Sequence, residues 1–252
     1  MAKTIALFNQ QGGVGKTTTA VNLTAALTLT GRRVLLVDVD PQGHSTSGLG
    51  VDKDAAAFSS YNVLLEGVPV SRAIVKTKYG SVIPANKGLF GAGIQLTSFE
   101  KREHVLRSAL LEVQNDFDVI FIDCPALLEL LTLNALVAAD SLIIPVQCEY
   151  LALEGIADLM TSIKMLQRGL NPALEIEGIL LTMFDARTNL STQVASEVKK
   201  HFKSKVFKTA IPRNVRLSEA PSHGKPVTAY DPASKGSTAY MELAKEINGR
   251  VR

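Results

Sequence analysis

The stretch that most limits what this chain can become is Gln10-Gln11-Gly12-Gly13-Val14-Gly15-Lys16-Thr17-Thr18. It follows a short apolar run from Thr4 to Phe8 and precedes residues at helical spacing, Ala20, Leu23 and Leu27. Strand, glycine loop and helix in that order are the setting of a phosphate-binding loop. Glycines let backbone N–H groups turn inward without a Cβ clash. The helix N-terminus adds partial positive charge where phosphates sit. In such a loop Lys16 reaches the β- and γ-phosphates and the Thr17 hydroxyl ligates Mg²⁺. The general pattern has a glycine six residues before the lysine, where this chain has Gln10. A variant form, Lys-Gly-Gly-x-Gly-Lys-Thr, drops that glycine and adds a lysine at the loop's start. Here Gln11 stands at that place.

Composition narrows the class. At 252 residues the chain fits one α/β domain with room for a core. Charged residues make up 20% and hydrophobic ones 46%, a globular balance rather than a disordered one. No apolar run approaches the ~18 residues of a membrane span. The N-terminus enters a strand directly, without the pattern of a signal peptide, so a cytoplasmic location is expected. Cys124 and Cys148 lie in or beside apolar runs and read as buried thiols, not as a disulfide or metal pair. The net charge of +3 is uneven: Arg187 to Lys225 carries nine Lys/Arg and two Glu, a local +7, which leaves −4 elsewhere. A basic surface facing a polyanion is the expectation.

The pattern alternates strands with helices. Arg33 to Asp40 and Asp118 to Asp123 read as buried parallel strands ending in acids. Ser81 to Asn86, Ser141 to Gln147, Ile176 to Phe184 and Val206 to Ile211 complete the strands. Helices are expected over 99–114, Leu133 to Ala139, Ala152 to Leu166, Ser191 to Phe202 and from Thr238 onward, with a loop from Pro212 to Gly236. In Ser191 to Phe202 the apolar stripe is Val194, Val198 and Phe202, which leaves Lys199, Lys200 and Lys203 outside it. This order predicts an α/β fold, a doubly wound and mostly parallel sheet flanked by helices, in one domain over 1–252. Loops at the carboxyl ends of its strands carry the site, and the phosphate loop, Asp40 and Asp123 all fall there. Asp123 is placed to hold a Mg²⁺ shell, through water. Asp38 and Asp40 share one strand face, and Asp40, nearer the loop edge, is the better group to position an attacking water. His44 reads as a surface residue.

Five blocks together resemble the ParA/Soj chromosome- and plasmid-partitioning ATPases. They are Gly12-Gly-Val-Gly-Lys-Thr-Thr18, Asp38-Val-Asp-Pro-Gln-Gly43, Asp118 to Pro125, Met183-Phe-Asp-Ala-Arg-Thr-Asn189, and Ile211 to Pro226. The resemblance covers nearly the whole chain. It implies binding of ATP or ADP with Mg²⁺, a nucleotide sandwich homodimer, binding of nonspecific double-stranded DNA, and hydrolysis stimulated by a centromere-binding ParB-type partner. It makes Lys16 and Asp40 the catalytic pair and Gly12, Gly13, Val14, Gly15, Lys16, Thr17 and Thr18 the phosphate contacts. Met183, Pro212 and Asn214 match the adenine side, and Thr17 and Asp123 the metal. Arg187 and Arg216 match DNA-contacting arginines, to which Lys199, Lys200 and Lys203 are added from the basic segment. There is no aromatic interleaving for base stacking, which favours a duplex backbone over single strands.

Three places depart from that family. Gln11 stands where the signature lysine crosses to the partner's phosphates. After Asp123-Cys124-Pro125 the family's Pro-Ser-Leu-Gly reads Ala126-Leu127-Leu128-Glu129, and His44 replaces an asparagine. Loss of a cation and gain of an anion both oppose closing two ATP-loaded monomers. The first expectation is therefore a working ATPase whose hydrolysis is weak or uses another cation. The second is a hydrolysis-deficient scaffold that binds nucleotide and DNA or a partner. A MinD-like membrane ATPase fits less well. Its basic amphipathic anchor is missing, since Tyr240, Leu243, Ala244 and Ile247 read as a core face with Arg250 and Arg252 after it. An iron–sulfur reductase of the nitrogenase type needs cysteines that Cys124 and Cys148 do not supply.

Overall fold

The computed structural model describes residues 1–150 and 152–250. Its strands are β1 (Lys3–Leu7), β2 (Val34–Asp38), β3 (Val75–Thr77), β4 (Gly80–Ile83), β5 (Val119–Asp123), β6 (Ser141–Gln147) and β7 (Glu175–Thr182). The helices are α1 (Lys16–Leu29), α2 (His44–Gly48), α3 (Ser60–Leu65), α4 (Val70–Ala73), α5 (Ala92–Leu96) and α6 (Val105–Leu110). They continue with α7 (Leu130–Ala138), α8 (Ala152–Gly169), α9 (Asn189–Phe202), α10 (Val215–Glu219), α11 (Val227–Tyr230) and α12 (Lys235–Asn248). One sheet runs β3-β4-β2-β5-β1-β6-β7, with every pairing parallel except β3 against β4. The doubly wound, mostly parallel sheet expected from the sequence is present.

The core lies on both faces of this sheet. One side gathers Ala6, Leu35, Val37, Ile120 and Ile122 with α3, α6 and α7. The other gathers Leu7, Leu36 and Phe121 with Leu23 and Leu27 of α1 and Tyr240, Leu243, Ala244 and Ile247 of α12. Buried on both faces, β2 and β5 need the unbroken apolar runs they carry. The apolar face of α12 is spent on this core. Among the described residues no helix is long and apolar enough to cross a membrane. Arg252 lies outside the described residues.

Several expected elements differ. Residues 206–211 follow β7 without forming a strand; Val206 makes an isolated bridge to Ile179, and Pro212 one to Phe184. The N–H groups of Lys208 and Thr209 donate to the Glu246 carboxylate at 3.0 and 2.7 Å and are lost to the sheet. The 99–114 helix is shortened to α6 and a following turn, because Lys101 adopts φ 51° and His104 N–H closes a tight turn on its carbonyl. The 212–236 loop contains α10 and α11, and α12 begins at Lys235, capped by Ser234 Oγ accepting from Ser237 N–H. The helix α7 begins at Leu130, three residues early, and the edge strand β3 was not foreseen.

A bulge where β7 meets β6 inserts Glu177 between Ile176 and Gly178. A Cβ on Gly178 would overlap the Phe207 ring, whose Cε2 lies 2.4 Å from that position. Gly178→Ala is expected to destabilise by ~1–3 kcal/mol, the usual cost of overpacking. Thermal unfolding of the ligand-free variant checks this, and an unchanged Tm contradicts it.

Candidate functional site

The glycine loop connects β1 to α1 and is tied to its neighbours at several points. Asn9 Nδ2 donates to the Pro145 carbonyl at 2.7 Å while Asn9 Oδ1 accepts from Gln11 N–H at 2.9 Å. Val14 is fully buried, and Thr182 Oγ1 at the end of β7 donates to its carbonyl at 2.8 Å. Gly13 and Gly15 have φ of 76° and 93°, which an L side chain rarely adopts. Gly12 and Gly13 are exposed and Gly15, Thr17 and Thr18 half-buried, so the loop presents backbone N–H groups to solvent at the start of α1.

Lys16 folds back under this loop. Its Nζ donates to the carbonyls of Asn9 at 3.0 Å and Gln11 at 3.2 Å. Burial lowers its pKa, and the carboxylates of Asp123 and Asp40 oppose that shift. Gln11 contributes backbone bonds to the loop, and its side-chain amide makes no hydrogen bond among the described residues.

The two strand-end acids are paired in register, Asp38 opposite Asp123. Their roles separate by what each meets. Asp38 accepts from Thr46 N–H at 2.9 Å, Thr46 Oγ1 at 2.7 Å and Asp40 N–H at 3.1 Å. Thr46 Oγ1 accepts in turn from Ala85 N–H at 2.9 Å. Asp38 thus straps α2 to the sheet. Asp123 is fully buried, and neither of its carboxylate oxygens has a hydrogen-bond partner; Ser45 Oγ is likewise buried without one. Burial, then the charge of Asp38, pushes the Asp123 pKa well up, while the Thr17 and Ser45 hydroxyls beside it pull the other way. An unsatisfied carboxylate among hydroxyls fits a divalent cation held by oxygen donors. Asp40 is half-buried, and one of its oxygens accepts from Gln42 N–H at 2.9 Å in an Asx turn. Its charge raises the pKa of Lys16 and of Asp123. His44 is exposed at the start of α2.

A cavity of about 410 Å³ opens next to the loop. Gly15, Thr18, Met183, Pro212 and Asn214 line it, so the structure brings these sequence-predicted residues together. Met183 has φ 50°, rare for a non-glycine and held by bonds from Phe184 N–H to Ile211 O and from Arg213 N–H to Phe184 O. Asn214 Oδ1 caps α10 by accepting from Arg216 N–H at 2.9 Å. Sequence reasoning missed Thr182, Arg213 and Tyr240 in this wall. Arg213 pairs with Glu149 at 3.1 Å, and Tyr240 Oη meets Thr19 Oγ1 at 3.1 Å. Only the Ile211–Pro226 block hinted at Arg213. Thr46 and Ser45 were missed too, and their one local signal was closeness to Asp40.

The basic residues do not form one patch of free charge. Arg187 is clamped by Asp185 through two bonds of 2.9 and 2.7 Å, which hold that carboxyl well below the usual range. Arg216 pairs with Glu219 at 2.8 Å and Asp231 at 3.1 Å. Lys199, Lys200 and Lys203 are exposed, with Val194 and Val198 buried behind them as the stripe predicts. Lys200 is 3.9 Å from Glu197. The segment after Pro125 presents Leu127 and Leu128 at 64% and 39% exposure, beside an exposed Glu129. Cys124 and Cys148 are buried free thiols. Burial raises the pKa of both, that of Cys148 to about 11.

A doubly wound parallel sheet whose first strand feeds this loop, with a buried acid at the end of the neighbouring strand, defines a P-loop nucleotide-binding protein. Comparison with known proteins specifies it further. A family model described as an AAA domain matches residues 2–176. The sporulation initiation inhibitor protein Soj of Bacillus subtilis is 55% identical over 98% of both chains. The chromosome partitioning protein ParA of Myxococcus xanthus is 50% identical over 99% of this chain and 89% of its own. A crystal structure of cobyrinic acid a,c-diamide synthase from Mycobacterium smegmatis, with bound ADP and magnesium, superposes with a TM-score of 0.86. It is 41% identical, over 98% of this chain and 94% of that one. The chain belongs to the Soj/ParA family of chromosome-partitioning ATPases.

Proposed function

We propose that this chain binds ATP with Mg²⁺, closes into a nucleotide sandwich homodimer, holds nonspecific double-stranded DNA in that state, and releases it on hydrolysis stimulated by a ParB-type partner. The observation that carries the reading is the unpartnered, buried Asp123 carboxylate beside Thr17 and Lys16. With it goes the cavity at Met183, Pro212 and Asn214 on the other side of the loop. The bound ADP and magnesium of the Mycobacterium smegmatis structure and the partitioning names of the relatives support it.

Residues take the following roles in this reading. Thr17 and Asp123 would hold Mg²⁺, the latter through water, with Ser45 alongside, and the cation would supply positive charge against that developing on the phosphates. The N–H groups of Gly12, Gly13, Val14, Gly15 and Thr18 surround phosphate oxygens. The Lys16 ammonium exchanges the Asn9 and Gln11 carbonyls for them. Asp40 orients the attacking water. Phosphoryl transfer asks for positioning and charge more than covalent chemistry, and these groups supply both. Arg187 and Arg216 reach DNA phosphates only by giving up their carboxylate partners. The protein would act in the cytoplasm at the nucleoid.

A second reading has one observation in its favour. Gln11 brings no charge and its amide makes no hydrogen bond among the described residues, while Glu129 adds an anion to the segment after Pro125. That favours a hydrolysis-deficient scaffold that binds nucleotide and DNA or a partner. Steady-state ATP turnover with duplex DNA and a ParB-type protein separates the two. Measurable, stimulated turnover supports the first, and tight ATP binding without turnover supports the second. Gln11→Lys is expected to tighten ATP-dependent dimerisation about tenfold, the worth of one charge-assisted contact. An unchanged sedimentation profile would count against any role of the missing lysine.

A further inference from the structure

Positive charge without a carboxylate partner among the described residues also gathers outside the Lys199–Lys203 segment. The β3–β4 hairpin, the segment after Gly50 and the turn at His223–Lys225 enclose a cleft of about 720 Å³. Lys76, Lys78 and Lys225 line it, all exposed and none in an ion pair among the described residues. Lys78 Nζ lies instead over the Tyr79 ring, 5.2 Å from its centroid. Asp52 is the one acid in the lining. Like charges gathered in a concavity repel one another and focus a field outward, an arrangement that an anion relieves.

The walls are fixed by close backbone contact. A Cβ on Gly50 would sit 2.9 Å from the Gly224 carbonyl, and one on Gly224 would sit 3.1 Å from Gly50 Cα. The cleft also joins the Arg216 surface through touching side chains. The His223 ring stacks on Tyr230 at 4.9 Å, Tyr230 Oη donates to Glu219 at 3.2 Å, and Glu219 pairs with Arg216. Three flexible ammonium groups match spaced phosphates better than one bidentate anion. Tyr79 is covered by Lys78, so no free ring is offered for stacking a single-stranded base.

We propose that this cleft is a further phosphate-contacting surface for duplex DNA, continuous with Arg216 and carrying more of the binding charge than the paired arginines. It rests on the DNA-binding reading above. The test uses the full chain with ATP and Mg²⁺ and a short mixed-sequence duplex, titrated by fluorescence anisotropy over a salt series. The variants are K76Q/K78Q/K225Q, K76R/K78R/K225R and R216A. For the glutamine variant the slope of log K against log salt is expected to be shallower by about 0.9 per lost contact, roughly 2–3 in all. Its affinity at low salt should fall about tenfold or more, with ATP binding unchanged. The arginine variant, which keeps the charge, should retain the wild-type slope. A wild-type chain that binds no duplex defeats the DNA-binding reading and this proposal together. Wild-type binding with an unaltered slope in the glutamine variant overturns the proposal alone. So does lost ATP affinity with the slope intact, which would make the cleft a nucleotide contact. Far-UV circular dichroism confirms that the variants are folded, as exposed lysines allow.

Discussion

Lys16→Ala is expected to lower ATP affinity by about 10²–10³-fold and to leave no measurable turnover, because removing one partner of a buried charged pair costs about 3–5 kcal/mol. The ammonium is already committed to the site before nucleotide arrives. It is buried beneath the loop on the carbonyls of Asn9 and Gln11; burial lowers its pKa and the neighbouring acids oppose that shift. Phosphate oxygens replace two neutral acceptors with anionic ones, and that exchange is available only to a cation at this position. Alanine takes this donor from the buried Asn9 carbonyl and the half-buried Gln11 carbonyl. Lys16→Arg will not restore binding, since a planar fork does not occupy the place of a compact ammonium. Isothermal titration with ATP and Mg²⁺ measures the effect. A loss smaller than tenfold would mean that the loop N–H groups, not Lys16, dominate phosphate binding.

What could be read from the chain alone divides by distance in sequence. The phosphate loop is local: spacing, glycines and the flanking strand and helix lie within a few residues, and the structure assembles them as written. The strands β2 and β5 were legible because a parallel strand buried on both faces needs an unbroken apolar run. The different fates of Asp38 and Asp40 were not. Alternation puts both on one face, but only the fold brings Thr46 back to claim Asp38, leaving Asp40 at the site. Short elements also escaped. The strand β3 has three residues and lies at the sheet edge, where pairing rather than composition makes it a strand. In 212–236 the proline-, glycine- and serine-rich composition suggested loop. Yet Asn214 and Pro226 stand just before α10 and α11, the places where residues that break helix interiors serve as starts. The pairing of Arg216 with Asp231 was invisible for the same reason as Thr46, since a count of charges does not say which of them meet.

Asp123→Asn should make the ligand-free protein more stable and the nucleotide site useless, and the two effects have one cause. The Asp123 carboxylate is buried, unpartnered and opposite Asp38 in register. Its pKa in the folded chain is well above that of a free aspartate, first from burial and then from the charge of Asp38. A group that binds its proton more tightly when folded makes stability fall as pH rises. The fall begins where free aspartate ionises, near pH ~4, and is complete once pH has passed the folded pKa. Asparagine carries no charge and escapes this penalty. An unsatisfied buried charged group costs about 1–3 kcal/mol or more, so the variant's Tm should exceed wild type by roughly 3–8 °C at pH ~7. The gap should narrow toward zero as pH approaches ~4. Adding ATP with Mg²⁺ should reverse the order, because ligand that binds only the folded state stabilises in proportion to its affinity and the variant has lost the carboxylate that holds the cation's shell. Differential scanning fluorimetry across pH, with and without ATP and Mg²⁺, tests both halves. A ligand-free variant less stable than wild type at neutral pH would mean that Asp123 is satisfied within the fold, and its assignment to the metal would fall with that result.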